Sequence, residues 1–106
     1  MIDYDGRRFR VVGPEPAASV VYRQSGDLLF AEFGGGEVRR GSLTGLCAED
    51  GTLDFAYTMV LADGEVVAGR CLSTPRVAAD GRILLHEKWE RYGANAASGE
   101  SELEEF

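Results

Sequence analysis

A carboxylate, two guanidinium groups and three aromatic rings are the side chains of this sequence that could do chemistry together. Glu87 lies between Leu85 and Trp89, and an unpaired charge on the buried face of such a stretch would be costly. The charge must therefore be paired, hydrated or bound to a ligand. An internal Glu–Arg pair near an open barrel end, solvated and structural, is one interpretation. The other is a ligand pocket with an aromatic wall and a few polar anchors, for which the candidate residues are Trp89, Glu87, Tyr57, Phe55, Arg70 and Arg91.

No other pattern predicts a catalytic, metal or cofactor site. His86 and Cys71 are both expected on the outer face and more than one pair apart, so they do not form a nucleophile and its base. Cys47 and Cys71 are too few for a metal site, and two strand spacings would separate them by roughly 9–10 Å, which is beyond disulfide reach. The run 34–36 of three glycines lacks the following helix and the Lys-Ser/Thr pair of a phosphate-binding loop, so it is interpreted as a turn.

Regularly placed turn signals indicate which elements must position these residues. Asp50-Gly51, Asp63-Gly64 and Asp80-Gly81 separate segments in which apolar and polar residues alternate, as is typical of antiparallel hairpins. Residues 1–106 are predicted to be a single all-β domain, of which residues 1–6 could be disordered. About eight strands are expected, at 7–12, 18–25, 28–33, 37–49, 52–62, 65–78, 82–92 and 99–106.

Strands joined by tight turns are sequential neighbours, so the fold class is an antiparallel up-and-down meander. Closure into a barrel, which leaves no exposed edges, is favoured over a two-sheet sandwich. If each Asp-Gly pair is a two-residue loop, Ala48 faces Leu53 and Ala78 faces Ile83. This register puts one set of residues on the inward face, namely Leu46, Leu53, Phe55, Tyr57, Met59, Leu61, Val66, Arg70, Leu72, Ile83, Leu85 and Trp89.

The register before residue 37 is left open by the glycine loop. Within that uncertainty, five residues of the early strands are expected inside the barrel, namely Val20, Tyr22, Leu29, Ala31 and Phe33.

Charge and hydropathy exclude some classes of partner. The net charge of −7 argues against nucleic acid and against anionic membrane surfaces, both of which need a basic face. The sequence has no apolar run of the roughly 20 residues that a transmembrane helix needs. The first residues lack the basic and apolar regions of a signal peptide, so a cytoplasmic protein is expected.

Several segments resemble a family of small bacterial proteins that often carry the name N-acetylglutamate synthase. They are Phe33 to Leu46, Gly69-Arg70-Cys71, Ser73-Thr74-Pro75, Leu85 to Trp89 and the closing Ser98-Gly99-Glu100-Ser101 with Glu104-Glu105. The resemblance implies a compact, calycin-like barrel of avidin-like or lipocalin-like shape, and Glu87 and Trp89 match the family pattern. It implies no activity for particular residues: acetyl-CoA binding would need a pyrophosphate loop leading into a helix, and neither is found.

Three functions are left open by the sequence. The first is a barrel that binds a small molecule in its interior. The second is a structural or interaction module, such as a homodimer, with a filled interior and an apolar outer patch formed by Leu43, Val60 and Val67. The third is an enzyme matching the name that the similar proteins carry.

Overall fold

The computed structural model describes residues 1–106 and contains only β-strands, turns and loops. It has no helix, and so none that is long and apolar enough to cross a membrane. The strands are β1 (Arg8–Val11), β2 (Ser19–Val21), β3 (Arg23–Ser25), β4 (Leu28–Gly35), β5 (Val38–Cys47), β6 (Leu53–Leu61), β7 (Val66–Val77), β8 (Ile83–Arg91) and β9 (Ala97–Glu105).

The strands close into an antiparallel barrel. From β4 to β9 each strand pairs with the next one along the chain, and β9 pairs with β1. β2 pairs with both β1 and β4, which completes the ring. Because β2 and β3 are two parts of one strand interrupted at Tyr22, the barrel is eight-stranded. The predicted all-β meander and its closure are confirmed.

The predicted register is wrong by one residue at all three Asp-Gly turns. Cys47 pairs with Leu53, and Val77 pairs with Ile83. Each turn has three loop residues: Ala48 N–H donates to the Thr52 carbonyl, for example, at 2.8 Å. The glycine of each turn has a φ between 87° and 90°, whereas no other residue type has a positive φ. A type I′ turn would need positive φ at the aspartate as well, so the chain forms a longer turn with the glycine alone in the left-handed region.

The aspartates have a different part in these turns. In each turn one Oδ1 atom accepts the backbone N–H two residues later, at 2.9 Å from Thr52, 2.9 Å from Glu65 and 3.0 Å from Arg82. This is the local bond that an aspartate side chain forms readily in turns. It stabilises the turn without requiring a left-handed aspartate.

The one-residue error inverts the predicted faces of β5 and β7. Leu46, Val66 and Leu72 were expected inside but are exposed, and Val66 has 77% of its surface exposed. Leu43 and Val67 were expected in an outer apolar patch but are buried. β6 and β8 keep their predicted faces, because the errors at the two turns between them cancel.

The early strands lie as expected. Val20, Tyr22, Leu29 and Ala31 are buried, and Phe33 is partly buried against the core. The hairpin between β4 and β5 pairs Gly35 with Val38 after a bulge that follows Phe33. The early inward face therefore meets the inward face of the later strands in one interior.

One end of the barrel is plugged by the residues that precede β1. Tyr4 is fully buried; its hydroxyl donates to the Gly51 carbonyl at 2.6 Å and its N–H donates to Gln24 Oε1 at 2.9 Å. The rings of Tyr4, Phe9 and Tyr22 pack with centroids 5.5 to 6.2 Å apart. Residues 1–6 thus include a core residue. We call this the plugged end. The fully buried side chains of this end and of the adjoining middle of the barrel, where Tyr22 also borders the cavity described below, are Tyr4, Phe9, Tyr22, Leu29, Leu53, Ser73 and Leu85.

Candidate functional site

The other end of the barrel, here the cavity end, contains a cavity of about 190 Å³. Thirteen of its 17 lining residues are hydrophobic, which is typical of a small-molecule pocket with a few polar contacts. Part-exposed Val38 and exposed Ser19 belong to the lining, so the cavity opens to solvent at this end. The lining residues are Val11, Ala18, Ser19, Val20, Tyr22, Phe33, Val38, Leu43, Phe55, Tyr57, Met59, Cys71, Glu87, Trp89, Arg91, Ser101 and Leu103.

Strand alternation places three of the polar or aromatic lining residues on one line. Glu87, Trp89 and Arg91 are consecutive inward residues of β8. Since a strand rises about 3.4 Å per residue, roughly 14 Å separate the Cα atoms of Glu87 and Arg91. The carboxylate therefore lies deep in the barrel, and the guanidinium lies near the opening, with the indole between them.

Glu87 is a partly buried carboxyl group in the cavity wall without a cationic partner. It accepts a hydrogen bond from the hydroxyl of fully buried Ser73 at 3.3 Å. Burial raises its pKa above the ordinary value, and hydrogen bonds from Cys71 and Ser73 oppose part of that rise. The Glu87 charge in turn contributes to the raised pKa of the Cys71 thiol, although burial is the larger cause. A thiol with a raised pKa is a poor nucleophile.

Trp89 is held by two contacts. Its Nε1–H donates to Ser101 Oγ at 3.2 Å, and the guanidinium carbon of Arg91 lies 5.3 Å from the indole centroid, within cation–π range. These contacts orient the indole in the cavity wall beside Glu87.

Arg91 has an unsatisfied donor. Its Nε is buried and has no hydrogen-bond partner. Neither Arg91 nor Glu87 takes part in any of the salt bridges. The interpretation of these residues as an internal Glu–Arg pair therefore does not describe this structure.

The aromatic rings of the cavity lie over glycines of neighbouring strands. Phe33 pairs with Gly41, Tyr57 with Gly69 and Trp89 with Gly99. A Cβ atom added at these glycines would lie 2.3 Å from Phe33, 2.5 Å from the Tyr57 hydroxyl and 2.5 Å from the Trp89 indole. Because the glycines have no side chain, the rings lie flat against the wall and leave the centre open.

Tyr57 shows how closely one of these rings is fixed. Its hydroxyl donates to the Glu90 carbonyl at 3.1 Å. Burial raises its pKa, and the neighbouring Arg91 guanidinium opposes that rise. Tyr57 and Arg91 therefore lie close together at the cavity end.

Comparison with known proteins agrees with this geometry. A family model described as "Avidin-like protein" matches residues 2–106. The chain belongs to this avidin-like protein family. The description names a type of protein and no reaction, and no curated protein matches the chain.

Within this avidin-like barrel, five of the six predicted ligand-binding residues come together. Trp89, Glu87, Tyr57, Phe55 and Arg91 all line the cavity.

Arg70 does not join them. It lies on the outer face, where its guanidinium donates to both Asp54 oxygens at 2.9 and 3.0 Å. The predicted inward position of Arg70 is wrong because the register of β7 is shifted by one residue. This outer pair lowers the pKa of Asp54, chiefly through the hydrogen bonds from Arg70.

The sequence-based prediction missed Cys71, Ser73 and Ser101 as polar residues of the interior. Cys71 was placed outside, yet it is buried in the cavity wall. The signal that could have found Cys71 and Ser73 is the turn at Asp63-Gly64, since a three-residue loop there turns both residues inward. The structure contains no group of three or more His, Cys, Asp or Glu side chains that could hold a metal ion.

Proposed function

We propose that this avidin-like protein binds a small molecule with a largely apolar body in the cavity of its barrel. The observation that carries the proposal is the combination of a 190 Å³ space with a mostly apolar wall and an unsatisfied guanidinium donor. A packed structural core leaves few voids larger than a water molecule. A concave, mostly apolar wall with a few polar groups is the usual form of a small-molecule binding site.

The cavity limits the size of the ligand. An apolar cavity of about 150 Å³ is large enough to bind benzene, whereas pockets for drug-sized ligands have volumes of about 300 Å³ or more. The ligand that fits is therefore one ring, or a short chain of similar bulk, with small substituents. Phe55, Tyr57 and Trp89 would contact its body.

Trp89 provides the test because it is the only tryptophan of the chain. Its fluorescence and the NMR signal of its indole N–H report on the cavity wall without labelling. Titration with single-ring compounds such as phenol, benzyl alcohol and benzoate should shift the indole signal saturably. Compounds of this size that leave the signal unchanged throughout the series would contradict the proposal.

Two variants of β5 separate cavity binding from surface adsorption. Leu43→Phe adds bulk inside the cavity, whereas Leu46→Phe adds the same bulk on the outer face of the same strand. Binding should be lost in the first variant and unchanged in the second. Equal binding by both variants would place the ligand elsewhere.

A second candidate function is self-association through the outer wall. Leu28 and Leu46 are cross-strand neighbours, and both are exposed together with Phe30 on the adjoining part of β4. A contiguous apolar surface of this kind favours a protein–protein contact. Sedimentation equilibrium should detect a homodimer that Phe30→Lys dissociates; a wild-type protein that is monomeric at high concentration would exclude it.

A further inference from the structure

We infer that the ligand is a small monoanion whose carboxylate binds Arg91 at the opening and whose inner end donates a hydrogen bond to Glu87. This inference rests on the proposed function, and it adds the chemical class of the ligand. The shared class is that of small monocarboxylic acids with a neutral donor group at the far end.

The first argument is the state of Arg91. A buried donor without a partner carries its full desolvation penalty, and nearly all such groups in folded proteins are satisfied. Arg91 Nε is buried and unpartnered, while the rest of its guanidinium lies against the face of Trp89 and beside the Tyr57 hydroxyl. A planar fork of N–H donors of this kind matches a carboxylate.

The second argument is that Arg91 alone among the arginines combines a buried donor atom with the absence of a carboxylate partner. Six other arginines form salt bridges with carboxylates, namely Arg7, Arg10, Arg23, Arg40, Arg70 and Arg82. The three remaining ones, Arg8, Arg39 and Arg76, also lack a carboxylate partner, but their side chains are exposed to water. The chain carries 18 acidic residues, so carboxylates are abundant, yet none pairs with Arg91. An anionic partner for the buried donor of Arg91 would therefore come from outside the chain.

The third argument concerns the inner end of the cavity. Glu87 receives the Ser73 hydroxyl and the Cys71 thiol as donors from the protein, and the four lone pairs of its two oxygens leave acceptor capacity beyond these two. Whether charged or protonated, a carboxyl group at this depth disfavours a second anion more than a neutral hydroxyl or amide donor. The two ends of the site thus select for opposite properties, and Trp89 lies between them to contact the body of the ligand.

The experiment compares matched probes on matched variants. The probes are 4-hydroxybenzoate, 4-hydroxyphenylacetate and 3-(4-hydroxyphenyl)propionate, each with its primary amide, and terephthalate as the dianion. Binding is followed by the indole N–H signal of Trp89 and by calorimetry. The variants are Arg91→Gln and, as a matched control, Arg70→Gln on the outer face. Thermal unfolding of each variant shows that it is folded.

The expected result is a preference for at least one acid over its amide by about tenfold to a hundredfold, the range of a charge-assisted hydrogen bond. Arg91→Gln should remove the preference, and Arg70→Gln should keep it. Terephthalate should bind more weakly than 4-hydroxybenzoate. In Glu87→Gln the difference in affinity between these two compounds should be smaller.

Two outcomes would overturn the inference in different ways. If every acid and its amide bind equally well, or if Arg91→Gln keeps the preference, the ligand class is wrong while cavity binding stands. If no probe, charged or neutral, shifts the Trp89 signal, the proposed function fails together with the inference.

Discussion

The plugged end and the cavity end of the barrel are built by the same strands, yet they are filled differently. On β6, Leu53 at the plugged end is fully buried in the core, whereas Met59 lines the cavity. On β8, Leu85 is fully buried and Arg91 stands at the opening. The inward residues of one strand can therefore belong to the hydrophobic core at one end of the barrel and to the cavity wall at the other. The two ends differ in the side chains that fill the barrel interior, because the segment before β1 packs into one end only.

Polar groups show the same contrast. At the plugged end, Tyr4 forms a short hydrogen bond with Gly51, and Ser73 bonds to Glu87 at the boundary. At the cavity end, Arg91 Nε has no partner. Satisfied polar groups favour a fixed structure, whereas an unsatisfied one favours a bound partner. The contrast predicts that stability depends on the plugged end and binding on the cavity end.

The largest expected effect is the removal of a ring from the plugged end. Phe9→Ala should lower the free energy of unfolding by about 3–5 kcal/mol, because the fully buried ring leaves a void that the packed Tyr4 and Tyr22 cannot fill. Phe33→Ala should cost less, because Phe33 already borders open space. Urea unfolding measures both; equal losses would remove the distinction between the two ends.

Adding bulk should destabilise the protein more at the plugged end than at the cavity end. Leu53→Phe overpacks a fully buried position and should destabilise the protein by about 1–3 kcal/mol. Leu43→Phe extends into the cavity and should cost less than about 1 kcal/mol. The melting temperatures of the two variants provide the check, and a larger loss for Leu43→Phe would contradict the assignment of the cavity.

Removing single hydroxyl groups gives a smaller effect. Tyr4→Phe leaves the Gly51 carbonyl without its 2.6 Å donor and should cost about 1–2 kcal/mol. Tyr57→Phe removes a 3.1 Å bond in a partly buried position and should cost about 0.5–1 kcal/mol. Chemical denaturation of both variants ranks them, and the reverse order would show that the plugged end tolerates the loss.

The smallest effect concerns pH. The pKa of Glu87 is raised in the folded state, so between its ordinary value of 4.5 and the folded value the folded state holds a proton that the unfolded state has lost. The contribution of Glu87 to the free energy of unfolding must therefore fall as pH rises through that window. The difference in stability between wild type and Glu87→Gln should decrease with rising pH and then level off.

Asp54 is the matched control for this pH dependence, because its pKa is lowered by Arg70. Its stabilising contribution is present above the ordinary value of 3.8 and is lost as pH falls through the folded value. The difference in stability between wild type and Asp54→Asn should thus increase with rising pH, which is opposite in sign to the change expected for Glu87→Gln. A wild-type minus Glu87→Gln difference that rises with pH would mean that Glu87 is not buried as described.

The sequence was sufficient for the architecture because alternation and turn signals are local. The alternation in 53–61 determined the inward face of β6, and the Asp-Gly pairs located the turns. Loop length was not determined, because aspartate tolerates the left-handed region in principle but does not adopt it here. That single missing fact inverted β5 and β7 and placed Arg70 inside and Cys71 outside.

The cavity itself depends on how side chains pack across strands, and composition does not reveal this. Glycines inside strands were the unused signal: Gly41, Gly69 and Gly99 each lie opposite an aromatic residue once the register is correct. Trp89 and Glu87 were placed correctly because two register errors cancelled. The unpaired state of Arg91 could be found only in three dimensions.

The glycines opposite the aromatic rings of Phe33, Tyr57 and Trp89 determine the width of the cavity. The width available to a guest is fixed by residues that never touch it, one strand away from the rings that do. Placing a methyl group at Gly99 would force the indole inward, since the new atom would lie 2.5 Å from its present position. Related barrels could thus differ in the size of the ligand they accept through exchanges of glycine and alanine in the wall. The side chains that contact the ligand would stay the same.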